Sequence, residues 1–197
     1  MRDMNKLLPT TIIAAIGGCV SVLAYLNIVT IEPQFVLAQD VDPNNATALN
    51  NKALAVAESG KMEEAITYLD KALAIDPNNI EALSNKGDAL NSLGKFEEAI
   101  TYYDRLLAIN SSDTRALTGK GSALILLGRD AEAITYFDKV LAIDANNTNA
   151  LLYQALAFED LGKYEEAVTN YDKVLAIMPN YAAVQHAKSE ALAKLGK

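Results

Sequence analysis

The chain has 197 residues, about half of them hydrophobic, with 10 glycines and 5 prolines. That is enough apolar side chain for a sizeable core and too little Gly and Pro for a disordered or loop-rich chain. Seventeen basic against 25 acidic side chains give a net charge of −8, unchanged without residues 1–38, and such a surface repels phosphate backbones, which argues against nucleic-acid binding.

With one histidine, His186, and one cysteine, Cys19, the chain lacks the ligand set of a zinc site and cannot close an internal disulfide. No phosphate-cradling glycine loop is present. His186 is the sole imidazole for any triad, and Cys19 lies in an apolar run far from it in sequence. The sequence therefore predicts no enzyme, no cofactor, no metal and no small-molecule substrate.

In chain order, Arg2 and Lys6 precede an uncharged run from Leu7 to Ile31, whose 25 residues are long enough to span a bilayer as a helix. The basic flank holds the amino end in the cytoplasm and sends the remainder outward. Pro33 then breaks the run, and Val36 and Ala38 are the small residues a signal peptidase accepts before a cut. Residues 1–38 thus read as a signal peptide cleaved after Ala38 or as an uncleaved membrane anchor. Lipidation of Cys19, within Ile16-Gly17-Gly18-Cys19, is a third outcome, and a buried helix of a soluble fold is the plain alternative. The expected location is extracytoplasmic, secreted or membrane-anchored with the body outside, and residues 39–45 form a linker.

From there the sequence repeats itself. Gly60, Gly94, Gly128, Gly162 and Gly196 are spaced by 34 residues, and each of the first four is followed by a similar run, as in Lys61-Met62-Glu63-Glu64-Ala65-Ile66 and Lys95-Phe96-Glu97-Glu98-Ala99-Ile100. Turns recur between the periods at Asp42-Pro43-Asn44-Asn45 and Asp76-Pro77-Asn78-Asn79, with degraded versions at 110–113, 144–147 and 178–181. Each period reads as two helices. Leu83, Gly87 and Leu90 mark one face of the first, and Phe96, Ala99, Ile100, Tyr103 and Leu107 form a stripe on the second. The glycine supplies a left-handed residue at the reversal, and paired acids such as Glu97-Glu98 open the second helix. First helices are expected at 46–58, 80–92, 114–126, 148–160 and 182–194, and second helices at 62–75, 96–109, 130–143 and 164–177. One hairpin cannot bury its own apolar face, so stability must come from stacking neighbours.

These residues resemble the tetratricopeptide repeat (TPR) family. Its large–small–large pattern along the first helix matches Leu49, Ala53, Val56; Leu83, Gly87, Leu90; Leu117, Gly121, Leu124; and Leu151, Ala155, Phe158. Its second-helix alanine matches Ala65, Ala99, Ala133 and Ala167, and the aromatic position after it matches Leu69, Tyr103, Phe137 and Tyr171. The resemblance implies an all-α helical-hairpin solenoid: repeats at 46–79, 80–113, 114–147 and 148–181, then a capping helix at 182–197, all preceded by the hydrophobic segment. Departures fall at Leu106, Val140 and Val174, where the family has a small residue; at Ser111 and Ala145, where it has proline; and at Asp130, where it has a large apolar side chain. In the capping helix Gln185 and Ser189 replace the large and small residues.

The resemblance also implies a binding face lined by the first helices. The matching positions are Asn50, Asn51, Leu54 and Glu58; Ser84, Asn85, Asp88 and Asn91; Arg115, Thr118, Ser122 and Ile125; and Leu152, Tyr153, Leu156 and Glu159. Asn51 and Asn85, expected to be at least partly exposed, have amides able to grip a peptide backbone. The plain alternative for each such residue is a solvated polar helix face. A basic clamp for a terminal carboxylate is missing, since Arg115 stands nearly alone. Lys52, Lys86 and Lys120 fall one column over, where their stems are expected to cover apolar surface while the ammonium reaches water.

The carboxylate pairs read as helix starts rather than acid/base pairs. Asn45, Asn110 and Asn146 head Asn-x-Ser/Thr triplets, which in an exported chain are either glycosylation acceptors or simple turn residues. The expected function is an exported or membrane-attached scaffold that binds a protein or peptide partner through its groove, with membrane contact through the amino-terminal segment if uncleaved. The alternative is an architectural subunit that associates with copies of itself in a membrane or envelope assembly, without a separate ligand.

Overall fold

The structure, a computed structural model, describes residues 42–196. Among these there are nine helices and no strand, in the order α1 (Ala46–Glu58), α2 (Met62–Ile75), α3 (Ile80–Ser92), α4 (Phe96–Ile109), α5 (Thr114–Leu126), α6 (Asp130–Ile143), α7 (Thr148–Asp160), α8 (Tyr164–Ile177) and α9 (Ala182–Lys194). They fall where the 34-residue period predicts. The amino-terminal segment expected to act as signal or anchor, Cys19 included, lies outside the described residues. Among those described, no helix is long and apolar enough to cross a membrane.

Local chemistry explains the boundaries. Asn45, Asn79, Asp113 and Asn147 cap α1, α3, α5 and α7, each side chain accepting from the backbone N–H three residues on at 2.8–3.0 Å. Asn45 therefore has a helix-capping role, its amide oxygen engaged by the Ala48 N–H. Glycine ends the same helices: Gly94 sits at φ +75°, and beyond it the Lys95 N–H returns to the Leu90 carbonyl at 2.9 Å, the six-to-one bond that closes a helix on a left-handed residue. The second helices have no side-chain cap, and acids fill their first turns instead.

The described residues form two compact units, 42–111 and 112–196. In the first, α1 pairs with α2 and α3 with α4, and α3 also packs on α2 and beside α1. Its core is Leu49, Ala53, Val56, Leu69, Ala72, Leu83, Leu90, Ala99, Tyr103 and Leu106. The stripe predicted on α4 is centred slightly differently: Leu106 is fully buried, whereas Phe96, Ile100 and Leu107 are half-buried. A leucine where the family has a small residue is therefore core.

In the second unit α5 pairs with α6, α7 with α8, and α9 packs on α8. Leu151, Ala155, Ala167, Tyr171, Val174, Val184, Ala187 and Ala191 join these last three helices. Asp130 is buried in the first turn of α6, where the helix amino end favours a carboxylate over the usual apolar residue.

Candidate functional site

In unit 42–111, α1 and α3 lie side by side and bring the predicted residues onto one face. Asn50 and Asn85 are both buried, and the Asn85 amide donates to Asn50 Oδ1 at 2.8 Å. This corrects the expectation that Asn85 is partly exposed: a side-chain bond between adjacent repeats draws it inward. Asn51 is exposed beside the pair, with Leu54 (41% exposed) and Glu58 further along α1. On α3, Ser84, Asp88 and Asn91 form one stripe. The Tyr103 hydroxyl, from α4, donates to Asp88 Oδ1 at 2.7 Å and fixes the carboxylate from beneath. Ser84 is 3% exposed, and its hydroxyl has no hydrogen-bond partner among the described residues.

The matching face of unit 112–196 is less polar. Ile125 and Leu152 are buried, and Thr118, Tyr153, Leu156 and Glu159 are half-buried. Arg115 is exposed, and Ser122 turns its hydroxyl to the Gly119 carbonyl at 2.9 Å. The Tyr153 ring stacks on Phe137 with centroids 5.7 Å apart and planes 9° apart, and burial pushes its hydroxyl up to about 12. Glu159 is pushed up to about 7, chiefly by burial and also by the nearby Glu190 and Asp160.

Sequence reasoning missed what the lysine column does. The Lys86 ammonium does not simply reach water. It is buried, bonds to Asp70 of α2, and lies 4.3 Å from the centroid of the Tyr102 ring. Burial works against its charge, but bonds with Asp70 and Tyr102 outweigh that, so it titrates above its ordinary value. Lys120 likewise lies 4.6 Å from the Tyr136 centroid, and Lys188 pairs with Asp172 at 2.6 Å. In the fourth repeat the pair changes together. Gln154 stands in the lysine column and Asn170 in the tyrosine column; Asn170 donates to Gln154 Oε1 at 2.8 Å, and Gln154 donates to Asp138 at 2.6 Å. The joint replacement was visible in the aligned repeats, but the contact was not. Among the described residues no three His, Cys, Asp or Glu side chains come together as a metal-binding group.

Known proteins share the fold. Family profiles described as tetratricopeptide repeat match residues 44–112 and 84–148, and one described as TPR repeat matches 155–196. A solved tetratricopeptide repeat protein from Parabacteroides merdae is 27% identical with a TM-score of 0.71, over 79% of this chain and 61% of that one, so the chain spans about three fifths of its length. A structure of MamA is 27% identical with a TM-score of 0.66, over 76% of this chain and 86% of that one. MamA from Desulfovibrio magneticus, residues 41 to the end, is 20% identical with a TM-score of 0.68 over 80% of this chain and 94% of that one, a likeness of fold alone. No curated protein matches the chain.

Proposed function

The chain belongs to the tetratricopeptide repeat family and is a protein-interaction scaffold, and we propose that it binds its partner on the faces of its first helices, outside the cytoplasm. One observation carries this reading: the buried Asn85–Asn50 bond locks two amides beside the exposed Asn51 and Leu54. A face whose polar groups are already oriented loses less freedom when an extended peptide docks, and an apolar side chain next to amides supplies an anchor. Export is supported by the uncharged run from Leu7 to Ile31 behind Arg2 and Lys6.

The experiment is recovery of partners from membrane extracts on the full-length tagged chain in nonionic detergent. Asn51→Ala should reduce recovery of a specific partner, whereas Lys71→Ala and Asp104→Ala on the second helices should not. Fractionation with amino-terminal sequencing tests export: a mature start at Gln39 supports cleavage, full-length membrane-bound chain supports the anchor, and full-length soluble cytoplasmic chain defeats both.

The architectural alternative also has an observation in its favour. Ile75 and Ile109 in unit 42–111, and Ile143 and Ile177 in unit 112–196, end successive second helices and are 43–53% exposed. Large apolar side chains left in water at every repeat suit contact between copies. Sedimentation over a range of concentrations separates the two, since only self-association makes the mass rise with concentration.

A further inference from the structure

We infer that the face formed by α1 and α3 takes a cationic extended segment, a peptide that carries lysine or arginine side chains. The inference rests on the binding role given above to the first-helix faces and adds the chemistry of what binds in unit 42–111.

The charge argument is local. The charged residues of α1 and α3 are Lys52, Glu58, Glu81, Lys86 and Asp88. Lys52 is buried, and Lys86 is closed on Asp70 of α2 and the Tyr102 ring of α4. On the face itself stand Glu58, exposed, and Asp88, half-buried, with amides between them. Asp88 is held by the Tyr103 hydroxyl from below, so its carboxylate is oriented before anything arrives. Carboxylates beside low-dielectric walls favour a cation and reject an acidic segment.

Ser84 is the second, independent observation. It lies one helical turn before Asp88 on the same stripe of α3, is 3% exposed, and its hydroxyl has no hydrogen-bond partner among the described residues. A buried hydroxyl is ordinarily paired, because leaving it unpaired costs its desolvation. An extended backbone laid along the stripe offers it a carbonyl or an N–H at the point where a cationic side chain meets Asp88. The face of unit 112–196 differs: Arg115 stands on it among Ile125, Leu152, Tyr153 and Leu156, and its carboxylate, Glu159, is raised to about 7 by burial and by Glu190 and Asp160, so it offers a weaker fixed charge.

The test uses three fluorescein-labelled peptides: a Gly-Lys-Ser-Lys repeat and its counterparts with glutamine or glutamate for lysine. Their anisotropy is read against the full chain in nonionic detergent at low and physiological ionic strength. The lysine peptide should bind about tenfold tighter than the glutamine peptide, and the glutamate peptide weakest. Asp88→Asn and Glu58→Gln should each remove about three- to tenfold of the lysine peptide's affinity and leave the glutamine peptide unchanged. Ser84→Ala should weaken lysine and glutamine peptides alike. Glu58 is exposed, so its variant reads out even if Asp88→Asn disturbs Tyr103.

Glu64→Gln makes the same charge change on α2 and should have no effect. If it weakens binding as much as Glu58→Gln, the preference is only net charge and the inference is wrong. Equal affinity for lysine and glutamine peptides, or no binding of the lysine peptide, also overturns it. The broader reading is judged separately: Asn51→Ala weakening every peptide alike keeps the face as the binding site while the cation preference falls.

Discussion

Tyr103 lies so close to Gly87 that a Cβ added to the glycine would stand 2.6 Å from its Cε1, while its hydroxyl reaches Asp88 at 2.7 Å. Phe137 crowds Gly121 in the same way, at 2.6 Å from its Cζ. In the fourth repeat Ala155 takes the glycine's place and Leu156 that of Asp88, and the buried Tyr171 hydroxyl has no hydrogen-bond partner among the described residues. The glycine thus lets the aromatic ring come close, and Asp88 gives the Tyr103 hydroxyl its acceptor.

Gly87→Ala should therefore destabilise the chain by about 1–2 kcal/mol, overpacking outweighing the gain of about 1 kcal/mol that alanine brings to a helix. Urea midpoints measure it, and Tyr103→Leu should recover part of the loss, since leucine with alanine is the pairing of Leu69 and Ala53 in the first repeat. A more stable Gly87→Ala would mean that the ring moves aside freely.

The Lys86–Asp70 pair predicts an asymmetry. Asp70 is 56% exposed and Lys86 is 9% exposed by side chain, so only the lysine depends on its partner for solvation. Asp70→Ala should cost roughly 1–3 kcal/mol by leaving a buried ammonium short of an acceptor, whereas Lys86→Met, which keeps the stem, should cost under about 1 kcal/mol. Equal costs in thermal or urea unfolding would contradict the burial argument.

Glu159 gives a pH dependence. Its carboxyl is raised from 4.5 to about 7, first by burial, so the folded chain keeps a proton that the unfolded chain releases. Its contribution to stability is present in acid and is lost as pH rises from 4.5 to about 7. Glu159→Gln should flatten that part of the profile, and its thermal midpoint should gain on the parent chain as pH increases through the window. Parallel profiles would place the charged carboxylate in water.

Two asparagines expected to behave alike should part company. Asn51→Ala should leave stability nearly unchanged because the side chain is exposed, whereas Asn85→Ala should cost about 1–3 kcal/mol by orphaning the buried Asn50 amide. Denaturation midpoints of the two variants decide it, and equal shifts would mean that the Asn50–Asn85 bond adds no stability.

This difference shows where sequence reasoning reached and where it stopped. The period, the glycine reversals and the apolar spacing placed the helices, because those are local features that every repeat restates. The column proposed as a binding face came from the family resemblance, and periodicity only carried it from one repeat to the next. What one chain in alignment with itself could not show was contact between repeats: that Asn85 turns inward to Asn50, that Lys86 closes on Asp70, that Gln154 and Asn170 replace a lysine–tyrosine pair as a bonded couple. Such contacts depend on the stacking of one hairpin on the next, a tertiary outcome that side-chain type alone leaves open.

The central claim is that partners dock on the first helices, and site-specific photocrosslinking in the native host tests it whatever the partner turns out to be. A benzophenone side chain would be placed at Asn51 in one unit and Arg115 in the other, both exposed first-helix positions, and at Lys71 and Lys139 on the second helices as controls. Discrete adducts from Asn51 and Arg115, with only background from the two lysine sites, are the predicted result. Adducts confined to Lys71 and Lys139, or crosslinks solely to further copies of the chain, would contradict it.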